Sequence, residues 1–88
     1  MYLLKATKIV KAAFKKLGKK DPMQKRAIER KVKEILEDPY RFKPLRSPMQ
    51  HLRRVHIMKS FVLIYSIDEK NKAVRIEDYN HHDNVYRR

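Results

Sequence analysis

The pattern of apolar and polar residues at the start of the chain predicts a short strand followed by a helix. Residues 1–5 are apolar and aromatic enough for a strand, and Thr7 then supplies an N-cap hydroxyl. Four apolar residues fall at helical spacing within Lys8–Leu17: Val10, Ala13, Phe14 and Leu17. Three lysines share another face of this segment: Lys8, Lys11 and Lys15. Gly18, the only glycine, is expected to end the helix in the left-handed conformation.

A second helix is predicted to start at Asp21, because aspartate is a good N-cap and Pro22 suits the first turn. Gln24 stands three residues after the cap, as in a capping box. The helix has an apolar stripe and is stopped by Asp38-Pro39. The stripe consists of Ile28, Val32, Ile35 and Leu36. A short basic loop joins the two helices, so an antiparallel helical hairpin is expected.

Three runs typical of β-strands fill the second half of the chain, after an extended connection rich in proline and basic residues. The runs are Leu52–Ile57, Phe61–Ile67 and Ala73–Tyr79. The middle run is nearly all apolar, which favours a central strand. The order strand, helix, helix, three strands predicts an α+β fold in which a small antiparallel sheet carries the helical hairpin on one face. The 88 residues are expected to form one domain, residues 1–88.

The charge of the chain is strongly positive and unevenly distributed. There are 23 Lys and Arg residues against 10 Asp and Glu residues, which gives a formal net charge of +13. Residues 1–20 and residues 41–59 are both rich in Lys or Arg and contain no acid. Such charge repels itself within one small domain and indicates a polyanionic partner, with nucleic acid as the leading candidate. A basic membrane-surface helix is the weaker alternative, because residues 7–17 have a modest apolar face and no Trp.

The composition disfavours several kinds of site. The chain has no cysteine, so neither a disulfide nor a cysteine-based metal site is expected. One glycine cannot build a Gly-rich phosphate loop, and no cofactor is expected. No apolar run approaches the roughly 20 residues that span a bilayer, and the N-terminus lacks the apolar core of a signal peptide. We therefore expect a cytoplasmic protein without a membrane partner.

His56 and His82 are the candidates for acid–base chemistry, since histidine exchanges protons readily near neutral pH. His56 lies at the end of a basic strand, and His82 follows the last strand with Tyr86 four residues further on. If the strands form a meander, these side chains converge. Cleavage of RNA without a metal needs a proton acceptor for the 2′-hydroxyl, a proton donor for the 5′-oxygen and positive charge at the phosphorane. Arg53 and Arg54 are the candidates for that charge.

Other interpretations of the same residues stay open. An exposed histidine at a strand end is, in most proteins, only a solvated side chain. His81, His82 and Asp83 have the composition of a metal cluster, but adjacent residues on a strand point to opposite faces, so no metal site is expected. Phe61 and Tyr86 carry rings that can stack on bases. Phe61 at a strand start is equally typical of a core residue.

The order and spacing of motifs in residues 44–86 resemble the RelE/ParE superfamily of toxins from type II toxin–antitoxin modules. The matching stretches are Pro44-Leu45-Arg46, Leu52–Ile57, Phe61–Ile67 and His82–Tyr86. They are most similar to the YafQ-like branch of RelE. In that branch an arginine strand ends in His, an apolar strand ends in Ile-Tyr, and a terminal His precedes an aromatic residue by four positions. The order of elements extends the resemblance to nearly the whole chain.

The resemblance implies a ribosome-dependent mRNA endoribonuclease, an mRNA interferase, that is silenced by a cognate antitoxin. By position it makes His56 and His82 the acid–base pair and Tyr86 the terminal aromatic residue. Phe61 falls where the YafQ-like branch has a base-stacking Trp. The implied product is a 2′,3′-cyclic phosphate with a free 5′-hydroxyl on the other fragment.

Four positions depart from the family patterns: Lys43 and Ser60 from the YafQ-like branch, and Val62 and His82 from RelE itself. Lys43 stands near a histidine of the branch, and Ser60 stands at its aspartate. RelE has arginines at the positions of Val62 and His82. Arg53 or Arg54 is expected to supply the missing phosphate contact.

Ribosome and mRNA contacts are expected from a set of basic and aromatic residues: Lys8, Lys11, Lys15, Lys43, Arg46, Lys59, Phe61, Arg87 and Arg88. The lysine face of the first helix is a solvated surface by default, and phosphate contact is the alternative. The antitoxin is expected to be acidic, partly disordered and RelB-like. An amphipathic helix of that partner would cover the helical hairpin or a sheet edge.

Two other functions fit parts of the same pattern. A ParE-like inhibitor of DNA gyrase keeps the fold but binds a protein and needs no proton transfer. A basic RNA-binding module keeps the charge, and it predicts salt-sensitive affinity for RNA without cleavage.

Overall fold

The computed structural model describes residues 1–85, with side chains through Asp83. Its elements are β1 (Leu3–Ala6), α1 (Lys8–Lys20), α2 (Pro22–Glu37), β2 (Leu52–Ile57), β3 (Phe61–Asp68), β4 (Ala73–His81) and α3 (His82–Val85). The predicted order of one strand, two helices and three strands is confirmed, and α3 is an additional single turn. None of the helices in this range is long and apolar enough to cross a membrane.

The start of α1 follows the prediction, but its end does not. Thr7 caps the helix, and its Oγ1 accepts a 3.2 Å hydrogen bond from the Val10 backbone N–H. The predicted end at Gly18 is wrong, since α1 continues through it to Lys20. The expected basic loop is helical because positive side chains are favourable in the last turn of a helix. Asp21 alone therefore separates α1 from α2.

Asp21 caps both helices. Its N–H donates to the Leu17 carbonyl oxygen at 2.7 Å, and its Oδ1 accepts from the Gln24 backbone N–H at 3.1 Å. Because the Asp21 N–H is used by α1, the Gln24 side chain does not close a capping box onto it. The Gln24 Nε2 donates instead to Asp21 Oδ2 at 3.1 Å. α2 ends at Glu37, directly before Asp38-Pro39, as predicted.

The four strands form one mixed sheet in the order β1-β4-β3-β2. β3 pairs antiparallel with β2 and with β4, as a meander requires. β1 pairs with β4 in parallel, with Leu3 opposite Ala73. The α+β class is confirmed, whereas the expectation of a wholly antiparallel sheet is wrong. Parallel neighbours need a crossover connection, and the chain between β1 and β4 provides one through the helical hairpin.

The main core lies between the helices and one face of the sheet. Its buried members are Val10, Ile28, Val32, Ile35, Val55, Ile57, Leu63, Tyr65, Val74 and Ile76. The predicted stripe of α2 is confirmed, while Ala13 of the α1 stripe is exposed. In β2 the buried Val55 and Ile57 flank the exposed His56. Residues that alternate with the core positions of β2 therefore point away from the helices.

A second, smaller apolar cluster lies on the opposite face of the sheet. Val62 and Ile64 of β3 are buried there, with Leu45 and Leu52 packed against them. Residues 39–51 thus cover part of the face that the helices leave open. β3 is apolar along its length because both of its faces are covered.

Candidate active site

Residues 39–51 cross the edge of the sheet along β2. The Lys43 carbonyl oxygen accepts a 3.2 Å hydrogen bond from the Arg54 N–H, and the Leu45 N–H donates to the Leu52 carbonyl oxygen at 2.9 Å. The Leu45 side chain then packs on the second cluster. The segment is therefore anchored to the first half of β2, directly before the position of the first predicted catalytic residue.

A cavity of about 330 Å³ lies where this segment, α2 and β2 meet. It is lined by Lys31, Phe42, Lys43, Arg54, Val55 and His56. The lining contains three positive charges and one imidazole, and one of these charges, the Lys31 ammonium, also pairs with the Glu34 carboxylate at 3.3 Å. Such a lining suits a phosphate group, which accepts hydrogen bonds from arginine and lysine.

Two members of this lining, Lys31 and Phe42, were not among the predicted site residues. The Lys31 Nζ lies 5.8 Å from the centre of the Phe42 ring, and the Arg41 guanidinium lies 6.0 Å from it. The sequence signal that could have identified Phe42 is its position as an aromatic residue within the basic segment before β2. Lys31 lies three residues after Ile28 and four before Ile35, so it is next to the buried face of α2.

Arg54 and His56 lie on the same face of β2, because they are two residues apart on a strand. His56 is exposed, and Arg54 is half-buried. Both residues pair with buried members of the second cluster, Arg54 with Ile64 and His56 with Val62. An imidazole and a guanidinium therefore stand side by side over an apolar surface.

Arg53 has different surroundings from Arg54. Its Nη1 donates to the Phe42 carbonyl oxygen at 2.6 Å and to the Tyr40 carbonyl oxygen at 3.3 Å. Its guanidinium lies 5.2 Å from the centre of the Tyr40 ring. Arg53 pairs with Tyr65, whose side chain lies in the helix-side core. Of the two arginines predicted to contact phosphate, Arg54 lines the cavity and Arg53 holds residues 39–51.

The strand register brings the end of β4 to the level of His56. His56 pairs with Val62, and Val62 pairs with Asn80, so the three residues form one row across the sheet. His82 follows two residues later, and its N–H donates to the Ser60 carbonyl oxygen at 2.8 Å. Two strand spacings amount to about 10 Å, so β3 separates the two histidine-bearing segments by roughly that distance.

His82 has a histidine before it and a carboxylate after it. The ring centres of His81 and His82 are 4.9 Å apart, and His82 Nδ1 lies 2.9 Å from Asp83 Oδ1. The expectation that the two imidazoles point to opposite faces is wrong, because β4 ends at His81 and the chain turns into α3. One ligand atom from each of these three residues lies within 4.8 Å of the others, so the group can hold a metal ion.

The remaining predicted contacts are dispersed over the surface. Six of these predicted contact residues are exposed: Lys8, Lys11, Lys15, Lys43, Arg46 and Lys59. Of the six, Lys43 lines the cavity. Tyr86, Arg87 and Arg88 lie outside the described residues. The cavity and the α1 lysines are thus separate positive regions, one concave and one on a helix surface.

Phe61 has the contacts of a core residue. Its ring stacks on Tyr79 at 5.7 Å and 12°, and it meets His81 edge-on at 5.7 Å and 76°. It is half-buried against the helix-side core. These contacts favour the core interpretation of Phe61 over base stacking.

A polar cluster not anticipated from the sequence joins Tyr2, which directly precedes β1, to residues 39–51 and the β3–β4 turn. The Glu69 carboxylate accepts hydrogen bonds from Tyr2 Oη at 2.8 Å, from Tyr40 Oη at 2.6 Å and from Lys72. The bonds from Lys72, Tyr40 and Tyr2 lower the pKa of Glu69 to about 2. Because Tyr40 also lies beneath Arg53, this cluster fixes the segment that forms one wall of the cavity.

Comparison with known sequences identifies relatives along the whole chain. The family model for the ParE toxin of type II toxin–antitoxin systems, parDE, matches residues 1–86. An uncharacterized protein of Methanosarcina mazei is 51% identical over 86 residues, which cover 98% of this chain and 100% of the relative. A Methanocaldococcus jannaschii protein named "Putative toxin RelE4" is 41% identical over 88 residues, covering 100% of this chain and 94% of the relative.

Solved toxin structures share the fold. The YoeB/ParE toxin from Agrobacterium tumefaciens superposes with a TM-score of 0.81 at 13% identity, covering 91% of this chain and 98% of that chain. The toxin–antitoxin complex RelBE of E. coli superposes with a TM-score of 0.77 at 18% identity, covering 92% of this chain and 96% of that chain. E. coli YafQ superposes with a TM-score of 0.71 at 16% identity, covering 98% of this chain and 99% of that chain. At these identities the structures show the fold alone. Together with the match to the family model, they confirm the predicted resemblance: the chain belongs to the RelE/ParE superfamily of toxins from type II toxin–antitoxin systems.

Proposed function

We propose that this toxin cleaves mRNA on the ribosome, with His56 and His82 as the groups that transfer protons. The observation that carries the proposal is the basic cavity beside β2, whose lining includes both His56 and Arg54. A gyrase inhibitor has no need of an imidazole beside concentrated positive charge. A metal-independent ribonuclease needs both.

The proposed chemistry uses side chains of β2 and of the segment that follows β4, which lie on either side of β3. The unprotonated imidazole of the pair takes the proton from the 2′-hydroxyl as its oxygen attacks phosphorus. The protonated imidazole gives its proton to the 5′-oxygen as the bond from phosphorus to that oxygen breaks. Arg54 stabilises the charge that develops on the phosphorane, while Lys31 and Lys43 bind neighbouring phosphates. The step consumes no water and leaves a 2′,3′-cyclic phosphate and a 5′-hydroxyl.

Positive charge outside the cavity supports docking on ribosomal RNA. The chain carries a net charge of +13, and the predicted α1 lysines are exposed. Contacts of this kind release counterions from the phosphate backbone, so the binding is expected to weaken steeply with salt. Docking on RNA and cleavage thus use different surfaces of one small domain.

An acidic antitoxin is proposed as the second partner. β1 is an edge strand, and large apolar side chains are exposed on it and on the adjoining turn of α1: Leu3 at 64%, Leu4 at 50% and Ile9 at 83%. Two exposed lysines, Lys5 and Lys8, lie between Leu4 and Ile9. An acidic segment with alternating apolar residues matches this edge in both hydrophobicity and charge. An acidic open reading frame directly beside the gene would support the pairing.

Induced expression in cells tests the acid–base assignment. The double variant His56→Ala, His82→Ala is expected to abolish growth arrest, while His51→Ala is expected to arrest growth like the wild type. His51 is an exposed histidine just before β2 and is absent from the cavity lining, which makes it a matched control. Growth arrest that persists unchanged in the double variant would remove the two histidines from the mechanism.

The second candidate function is inhibition of DNA gyrase, which the match to the ParE family model favours. That function predicts DNA damage before any loss of message after induction. The proposed function predicts the reverse order. A time course that measures message abundance and DNA breaks in the same cells separates the two.

A further inference from the structure

The junction between β4 and α3 gathers three side chains that carry metal-ligand atoms. His81 is the last residue of β4 and pairs with Phe61, whereas His82 and Asp83 begin α3. The change from strand to helix cancels the alternation that would separate consecutive side chains. As a result, two imidazoles and a carboxylate face one another at the surface.

The distances within this group are close to those of a metal site. His82 Nδ1 lies 2.9 Å from Asp83 Oδ1, and His81 Nδ1 lies 3.7 Å from Asp83 Oδ2. Two ligands that each lie 2.0–2.2 Å from a tetrahedral zinc ion are about 3.3 Å apart. The two measured separations fall on either side of that value, so small side-chain rotations would complete the geometry.

Among the described residues, the ring nitrogens of the group have their printed polar contacts within the group itself. The His82 Nδ1 is buried and makes no hydrogen bond, although Asp83 Oδ1 is near. A buried nitrogen in that state is costly, and a metal bond would satisfy it. The His81 Nδ1 accepts a 3.3 Å hydrogen bond from the Asp83 N–H, and a metal ion bound at this nitrogen would replace that long bond. The edge contact with Phe61 holds the His81 ring in place.

We propose that His81, His82 and Asp83 bind one divalent transition-metal ion of the zinc class. Two imidazole nitrogens and one carboxylate oxygen suit zinc, whereas magnesium and calcium prefer oxygen ligands only. Three protein ligands leave a fourth position for water.

The consequence for cleavage rests on the proposed function. His82 is one of the two proposed catalytic side chains, and a metal ion bound to its ring would occupy a nitrogen and hold the ring in the ligand group with His81 and Asp83. Zinc is therefore expected to switch the toxin off reversibly. His81 and Asp83 would supply the other two ligands of the ion that blocks His82.

Zinc titration of the untagged protein tests the site directly. Calorimetry near neutral pH is expected to show one ion per chain, and cobalt is expected to give the visible absorption of a tetrahedral site. His81→Gln and Asp83→Asn are each expected to weaken zinc binding at least about tenfold, and His51→Ala is expected to leave it unchanged. Both ligand variants alter partly or largely exposed side chains, so circular dichroism should report an intact fold. Absence of saturable binding, or equal affinity in all four proteins, would overturn the proposal.

Cleavage assays separate this proposal from the proposed function. Zinc is expected to inhibit the wild type, with recovery after addition of a zinc-selective chelator, and to leave His81→Gln active. Equal inhibition of both proteins would overturn the inhibitory role even if zinc binds. If no condition supports cleavage, the proposed function fails, and the calorimetry still decides whether the metal site exists.

Discussion

The His82 N–H donates a 2.8 Å hydrogen bond to the Ser60 carbonyl oxygen, which ties the end of β4 to the turn between β2 and β3. This bond and the row formed by His56, Val62 and Asn80 keep the two proposed catalytic histidines at the same end of the sheet. β3 runs between the two histidine-bearing segments and serves as a spacer. The proposed acid–base pair is therefore positioned by backbone pairing.

Adjacent arginines of β2 are expected to differ in their effects. Arg53→Ala removes hydrogen bonds to the Phe42 and Tyr40 carbonyl oxygens and should lower the free energy of unfolding by roughly 1.5–3 kcal/mol. Arg54→Ala should change stability less and should lower the cleavage rate about 100-fold or more, as removal of a group that stabilises the transition state does. Denaturant titration and cleavage kinetics on both variants measure the two effects. The assignment would be contradicted if the two variants lost the same unfolding free energy. It would also be contradicted if folded Arg53→Ala lost more cleavage activity than Arg54→Ala.

The polar cluster around Glu69 predicts a specific loss of stability in acid. The pKa of the folded Glu69 is about 2, below the ordinary 4.5, because Lys72, Tyr40 and Tyr2 donate hydrogen bonds to the ionised form. A lowered pKa contributes stability that is present above pH 4.5 and is lost as the pH falls toward 2. Glu69→Gln should therefore flatten the dependence of unfolding free energy on pH in this window, and Tyr40→Phe should flatten it partly. Identical slopes in all three proteins would contradict this role.

Tyr65 is expected to be a structural residue. Its hydroxyl donates a buried 2.6 Å hydrogen bond to the Pro39 carbonyl oxygen, and Tyr65→Phe should cost about 1–2 kcal/mol in unfolding free energy while cleavage persists. Burial raises the pKa of Tyr65 from 10 to about 12. The associated stability is present below pH 10 and is lost as the pH rises toward 12, so the wild type should lose more stability there than the variant. Guanidinium titrations at neutral and alkaline pH measure the unfolding free energies of the wild type and Tyr65→Phe. If the difference between the two proteins does not narrow at alkaline pH, the expected effect of the raised pKa is contradicted.

Gly18 offers a stabilising substitution. It lies inside α1, and a Cβ built on it meets no atom within 4 Å. Gly18→Ala is therefore expected to raise the unfolding free energy by about 0.5–1 kcal/mol, since alanine is the better helix former. Ala13→Gly, at an exposed position of the same helix, should lower it by a similar amount. Thermal unfolding of the two variants measures both changes in stability. If Gly18→Ala is less stable than the wild type, α1 ends at Gly18, as the sequence predicted.

The strands of the meander were predictable because alternation and turn residues determine them locally. The bounds of β2 are those predicted, and β3 and β4 extend one and two residues further. The parallel pairing of β1 was not predictable in this way, since it depends on how the helical hairpin crosses the sheet. The end of α1 was missed because Asp21 serves two helices at once.

The candidate site was predictable where it depends on strand periodicity. Arg53 has the same parity as the apolar Val55 and Ile57, which places it on the core side and leaves Arg54 beside His56. That signal is present in the sequence. The contribution of Lys31 was not predictable, because it depends on how α2 packs against residues 39–51. The gathering of ligand atoms at the end of β4 depends on where pairing with β3 stops, which is a tertiary property.

Primer extension on message from induced cells tests the central claim most directly. The wild type and His51→Ala should give new 5′ ends inside translated regions, in step with the reading frame, together with fragments that carry a 2′,3′-cyclic phosphate. His56→Ala and His82→Ala should each lose these ends while remaining folded. Message that stays intact while the wild type arrests growth, or cleavage that continues in both histidine variants, would contradict the assignment of His56 and His82 as the catalytic pair.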